Sequence, residues 1–322
     1  MRLRATWALA VAALVLAASS CPGGSAPAVD PGPAGTGGTG ATGIVGSGPT
    51  GTVGTGATGS QGNPITAMDF DAANFDASST VDNMYFPLQP GMRLVYEGAA
   101  LDGKRRVTRR VEMTVTGLTK EILGVPSVVI WERDSTDGEL TESELAFFGQ
   151  DNDGNVWQFG EYPEEYEDGE FVGAPTWLAG LAGARAGIHM MAHPRLGTPS
   201  YEQGFAPPPV KWADRGRLYR MGERTCVPAD CYRDVLVIEE FDRAEPGAFQ
   251  LKFYAPGVGV VRVGWRGKNE EEHETLVLVK VARLTPEQLA AVHETALAME
   301  ARAYEISPDV YAQTLPLELR LP

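Results

Sequence analysis

From Met92 onward the chain alternates between apolar and polar residues with a period of two. Met92, Leu94 and Tyr96 are interleaved with Arg93, Val95 and Glu97, and Val111, Met113 and Val115 with Glu112 and Thr114. That period places one face of a strand in a core and the other against solvent. Further runs follow at Leu123–Trp131, Leu145–Phe148, Val156–Phe159, Val235–Val237, Phe249–Tyr254, Val258–Trp265 and Thr275–Val281. Turn chemistry separates them. Asp151-Asn152-Asp153-Gly154 supplies a glycine where a hairpin needs positive φ, Asp168-Gly169 does the same, and Ala255-Pro256-Gly257 forms another turn. The acidic run Glu161, Glu164, Glu165, Glu167, Asp168 and Glu170 reads as a solvated hairpin whose charges discourage edge pairing.

One segment changes period. Thr285 is an N-cap, Pro286 takes the first helical position, and Gln288 completes a capping box. Leu289, Val292, Ala296, Met299 and Ala303 then mark a single stripe, which suits a helix packed on its own sheet. The tail beyond Pro308 alternates at Leu315, Leu317, Leu319 and Leu321, as a segment docking on a sheet edge would. The pattern predicts a mainly β fold: a large curved antiparallel sheet, half-barrel-like, with one C-terminal α-helix packed on it.

Residues 1–66 belong to another regime. Arg2 and Arg4 precede an apolar run from Trp7 to Ala18, too short for a mature membrane span, and small residues follow up to Cys21. Residues 1–20 read as a signal peptide. Ala18-Ser19-Ser20-Cys21 resembles the lipobox of bacterial lipoproteins, with Ala18 where that family usually has Leu. The resemblance implies a diacylglycerol thioether on Cys21, hence a lipid anchor, a membrane partner and an extracytoplasmic place in a bacterial cell envelope. Residues 21–66 follow as a tether. Positions 22–66 hold 15 Gly, 8 Thr and 6 Pro with Asp30 as the one charge, too little apolar surface to offset ordering entropy. Gly35–Gly43 recurs as Gly51–Gly59 with one difference. Both copies carry Gly-x-Gly-x-x-Gly, but neither follows a strand or opens a helix, so neither is a dinucleotide fingerprint.

Residues 67–322 read as one β-rich domain, and every Phe and Tyr of the chain falls there. The net charge of −15 argues against a nucleic-acid partner, since no basic stripe in the sequence displaces counterions from phosphates. Cys226 and Cys231, five apart in an exported chain, read as a disulfide.

Candidate chemistry is sparse. No Gly-x-Ser-x-Gly elbow, His-Glu-x-x-His helix or Walker loop occurs, so no catalytic residue is named and whether the chain is an enzyme stays open. Asp151, Asp153 and Asn155 offer oxygen ligands at alternate positions, as calcium loops do, although the glycine sits where a turn wants it. His189 and His193, with Met190 and Met191, have the donor types of a copper site. Pro194 and the surrounding glycines argue instead for a loop packed on the sheet. Trp157, Phe159, Trp177, Tyr201 and Trp212 gather rings near the Gly-rich centre and are candidates for lining a ligand cavity.

Asp151-x-Asp153-Gly154-Asn155-x-Trp157-x-x-Gly160-Glu161, Trp177-x-Ala179-Gly180, Gly183-Ala184, Met191-x-His193-Pro194 and Tyr254-Ala255-Pro256-Gly257-Val258-Gly259 resemble the signature of a group of uncharacterised exported bacterial proteins. Those proteins are largely β and often lipoproteins, and the similarity spans roughly residues 85–281. The resemblance implies export and a β fold but no activity. Together these readings lead to a lipid-anchored envelope protein acting as a non-enzymatic binding module, without cofactor, for an apolar or amphipathic ligand or an envelope protein. A calcium- or copper-binding protein and a hydrolase with an unrecognised carboxylate pair are the alternatives.

Overall fold

A computed structural model describes residues 70–319. The signal segment, Cys21 and the whole tether lie outside the described residues. Strands β1 (Met92–Asp102), β2 (Arg105–Ile122), β3 (Val125–Thr136), β4 (Glu139–Gln150) and β5 (Val156–Glu167) form an antiparallel meander. The short strands β6 (Glu170–Gly173) and β7 (Trp177–Leu178) fold back on β5, and β8 (Arg185–Met190) pairs with its lower half. After β9 (Tyr201–Glu202) and β10 (Gly204–Phe205), a second meander runs through β11 (Arg215–Cys226), β12 (Cys231–Phe241), β13 (Phe249–Ala255), β14 (Gly259–Arg266) and β15 (Thr275–Arg283). β15 returns to pair with β1, joining the two meanders into one sheet. The predicted turns at Gly154, Asp168-Gly169 and Gly257 are present with positive φ.

The sheet is closer to a barrel than to the expected half-barrel. Its two outermost strands, β10 beside β8 and β9 beside β11, are consecutive in the chain, so residues 201–205 staple both edges. Glycine makes the staple possible. A Cβ on Gly187 would lie 2.2 Å from the Gly204 nitrogen, and one on Gly204 2.5 Å from the Trp212 ring, so the backbones meet only because side chains are absent.

Helix α1 (Pro286–Ile306) carries the predicted capping box, and its buried stripe includes Val292, Ala296, Met299 and Ala303. It packs with Leu118, Val129, Leu145 and Phe147, the face of β2–β4 that points away from the barrel interior. Glu300 is buried too, a polar position in the stripe that the apolar period passes over. Its carboxylate meets the fully buried Lys120 ammonium at 2.6 Å and accepts the Leu317 N–H at 2.8 Å. Lys120 also donates to the Leu315 carbonyl and sits over the Tyr311 ring, next to the short helix α2 (Pro308–Tyr311). The tail ends in β16 (Glu318–Leu319), which pairs with Leu118 and Thr119 of β2 where β2 has run past the end of β1. Among the described residues no helix is long and apolar enough to cross a membrane.

Cys226 and Cys231 are joined by a disulfide that closes the β11–β12 hairpin. The hairpin tip reaches across the sheet, where Ala229 N–H donates to the Leu278 carbonyl of β15. β14 and β15 share only two register pairs, and the tip takes up part of that gap. Constraining so short a loop is worth about 2 kcal/mol from chain entropy. Replacing both cysteines with serine is expected to lower the unfolding free energy from urea denaturation by that amount, seen as a lower midpoint. An unchanged midpoint would show that the tip is held by its other contacts.

Candidate functional site

Alternation along the strands, combined with their register, sorts the barrel interior into two halves. At the end holding the β13–β14 turn the inward side chains are apolar: Leu94, Val115, Ile130, Phe148, Leu236 and Val260. Phe86, from the segment preceding β1, projects between Phe148, His189 and Tyr254 and closes this end. A cavity of about 20 Å³ remains beside Phe86, Tyr96, Glu132 and His189, enough for one water.

The other half is acidic. β3 and β4 pair Glu132 directly with Glu144, and Asp134 with Glu142. Like charges directly opposed across a ladder destabilise a sheet, yet all four are nearly or fully buried. Glu161 faces Ala146 in the next register, while Asp214, Glu240 and Glu274 enter from the second meander. Against these eight carboxyl groups the interior supplies two buried cations, Arg109 and Lys252. Arg109 binds Asp134 and approaches Glu274 at 3.5 Å, and Lys252 lies 2.6 Å from Glu240. Trp177 and Gln158 donate to Glu161, and Gln203 donates to Glu240.

Those donors run out before the acceptors do. The carboxyls of Glu142 and Glu144 have only each other, and both oxygens of Asp214 and one of Asp134 are buried without a donor. The amide oxygens of Gln158, Gln203 and Gln250 share that state, as does Nδ1 of His189. Almost every unsatisfied interior atom accepts, which marks a place built to receive donors. This half opens at a mouth rimmed by Asp242, Glu245, Glu270 and Glu272, with a space of about 10 Å³ beneath it.

Burial dominates the titration of these groups. It pushes the carboxyls of Glu142, Glu144, Glu161 and Asp214 well above the usual range, and neighbouring carboxylates add to the effect. Asp134 rises to about 6 and Glu274 to about 7, in each case because burial outweighs the pull of Arg109. His189 falls to about 3 through burial and the nearby Lys252, so it is neutral at physiological pH. The folded protein therefore holds protons that the unfolded chain releases near pH 4. The stability these groups contribute is full below that pH and is lost as pH rises through 6 and 7. Glu164 has the opposite sign. Burial alone would raise it, but hydrogen bonds from Arg302, Tyr166 and Tyr162 hold it low, so its contribution is lost in acid. The expected melting temperature falls by roughly 5–10 °C between pH 5 and pH 8. A flat or rising profile over that interval would contradict the buried-acid description.

The residues singled out in the sequence take other places. Asp151 accepts from the Asn155 backbone and side-chain amides and from Trp157 Nε1 at 2.8 Å, locking the β4–β5 turn, while Asp153 accepts from Asn74. His189 is buried in the interior, whereas His193 is exposed on a separate surface cleft, so the pair is not brought together. The expected loop at His189 is instead part of strand β8, with pairing to β5 overriding the local glycines. Among the described residues no set of three or more His, Cys, Asp or Glu is arranged to hold a metal.

The rings expected to line a cavity fill space. Trp157 and Phe159 pack with Phe70 and Phe75, Tyr201 joins the same cluster, and Trp177 stacks on Trp212 at 4.8 Å. None of them borders either interior space. The acidic run needs a correction as well. Its turn is a hairpin, but Glu161 and Glu164 are buried rather than solvated, because β5 turns Glu161 inward and Arg302 of α1 covers Glu164.

No protein-family model matches the chain, and no curated protein matches it. Two solved structures align with it. One is a presumed exported protein with a YmcC-like fold from Bacteroides fragilis, 13% identical, covering 62% of this chain and 100% of that one at a TM-score of 0.39. The other is a presumed lipoprotein from Parabacteroides distasonis, 13% identical, covering 62% and 99% at a TM-score of 0.34.

Proposed function

We propose that the chain is an exported, lipid-anchored envelope protein whose barrel binds a small amphipathic cation. The anchoring rests on Cys21 and its flanking segment. The ligand reading rests on one observation: Asp214 is completely buried with both carboxyl oxygens lacking a donor, and the equally buried Glu144 has only the carboxyl of Glu142 beside it. A folded chain does not keep such groups without cost, since an unsatisfied buried polar atom destabilises by roughly 1–3 kcal/mol. An ammonium or guanidinium group satisfies them, and the apolar half around Leu94, Ile130 and Phe148 suits an attached hydrocarbon. The water-sized spaces describe the barrel closed. Entry requires a two-pair ladder to part, at β9, at β10 or between β14 and β15, the shortest in the barrel wall.

The test uses the exported chain from residue 22 onward, titrated by calorimetry below the micelle concentration with a single-chain alkylammonium and, separately, with the alkyl sulfate of equal length. Saturable binding of the ammonium alone is expected. Preference for the sulfate, or no binding of either, overturns the proposal. Native mass spectrometry of the same preparation is expected to show a co-purifying amine that leaves on denaturation.

A further inference from the structure

The two sides of the sheet are covered unequally. α1 covers the outward face of β2–β4, but the outward face of β13 and β14, opposite Lys252 and Tyr254, carries no helix. Instead β11 lies against it, and between them is a groove of about 400 Å³. Leu251, Phe253 and Gly264 form its floor, and Arg220, Arg224 and Arg262 stand along it. Gly264 sits opposite Leu251 in the register and leaves the floor open where a side chain would fill it.

The guanidinium groups are prepared for an anion. Arg262 lies over the Phe253 ring at 5.2 Å and Arg220 over the same ring at 5.9 Å. Stacking occupies the face of a guanidinium and leaves its N–H edge free to donate. Among the described residues neither Arg262 nor Arg224 has an ion pair or a hydrogen bond. Arg220 has one carboxylate neighbour, Glu223 at 3.5 Å, while its Nε is buried without an acceptor. On a chain of net charge −15, surplus guanidinium donors gathered in one groove form a local exception of opposite sign.

We propose that this groove binds a linear polyanion, a chain bearing spaced phosphate or comparable oxyanion groups, independently of the barrel interior. Oxyanions match the guanidinium fork, and the apolar floor takes the backbone between the charges. A linear chain is favoured over an anionic bilayer because the arginines line a groove walled by β11, which a flat surface does not enter.

The experiment titrates the exported chain from residue 22 onward with a short linear polyphosphate near physiological salt. Saturable binding is expected, with Arg224→Ala and Arg262→Ala each weakening it about tenfold, as loss of one charge-assisted contact predicts. Arg106→Ala, an exposed arginine on β2, is expected to bind as the wild type does. Both groove arginines are exposed, so thermal melts of the variants should overlay the wild type and exclude misfolding. Wild-type affinity in both groove variants overturns the proposal. So does binding to mixed phosphatidylglycerol–phosphatidylcholine vesicles without binding to polyphosphate.

Discussion

Replacing Glu144 with glutamine is expected to raise the melting temperature at pH 8 and to abolish binding of the alkylammonium. Glu144 is fully buried, faces Glu132 across the ladder and shares its face of β4 with Glu142. Its one side-chain hydrogen-bond neighbour is the carboxyl of Glu142. Glutamine keeps the shape, removes the charge and offers an amide N–H to the carboxyl of Glu142. Once pH forces the carboxyl to ionise, exchanging the buried charge for a neutral isostere returns on the order of 1–4 kcal/mol, or roughly 3–12 °C in a domain of this size. The gain should shrink at pH 5, where the carboxyl of the wild type already holds its proton. A variant that melts lower than the wild type at pH 8 would show that Glu144 has a partner in the free protein. A variant that is stabilised and still binds the amine would move the ligand site away from Glu144.

The second large effect has the opposite sign. Lys120→Met is expected to cost about 3–5 kcal/mol, because it leaves the Glu300 carboxylate buried without its cation. The damage extends beyond one pair. Lys120 ties β2 to α1 through Glu300 and to the tail through the Leu315 carbonyl, while Glu300 holds the Leu317 N–H. Combining Lys120→Met with Glu300→Gln should recover most of the loss, since glutamine still accepts from Leu317 and carries no charge. Urea denaturation of the two single variants and the double variant reads this directly. If the double variant is no more stable than Lys120→Met alone, the packing of the lysine stem matters more than its charge.

What could be read from the sequence was local chemistry. Thr285, Pro286 and Gln288 announce the start of α1 because a capping box is complete within four residues. Gly154, Gly169 and Gly257 announce hairpins because positive φ is a property of the residue itself. The acidic interior could not be read in this way. Glu142 and Glu144 alternate with Ser143 and Leu145, and nothing local says which of the two sets faces inward. That choice is made by register, when β3 sets Glu132 and Asp134 opposite them. The barrel closure escaped for the same reason. β9 and β10 are two residues each, and their meaning lies in the strands they meet, β11 and β8, on opposite edges of the sheet. Ring size misled in the other direction, since Trp177 and Trp212 look the same in a sequence whether they line a space or fill it.

The pairing of β1 with β15 carries a consequence for how the chain reaches its destination. Met92 lies opposite Arg283, so the ladder that joins the two meanders cannot form until nearly the whole chain is available. Contacts of such sequence separation make folding slow, in the millisecond-to-second range or beyond. A chain still emerging from synthesis can assemble the first meander, but the sheet stays open along β1 and β8. For the exported protein proposed above, this delay leaves the chain open while it is threaded through a membrane. Sequence separation alone delays closure of the barrel until β15 has been made.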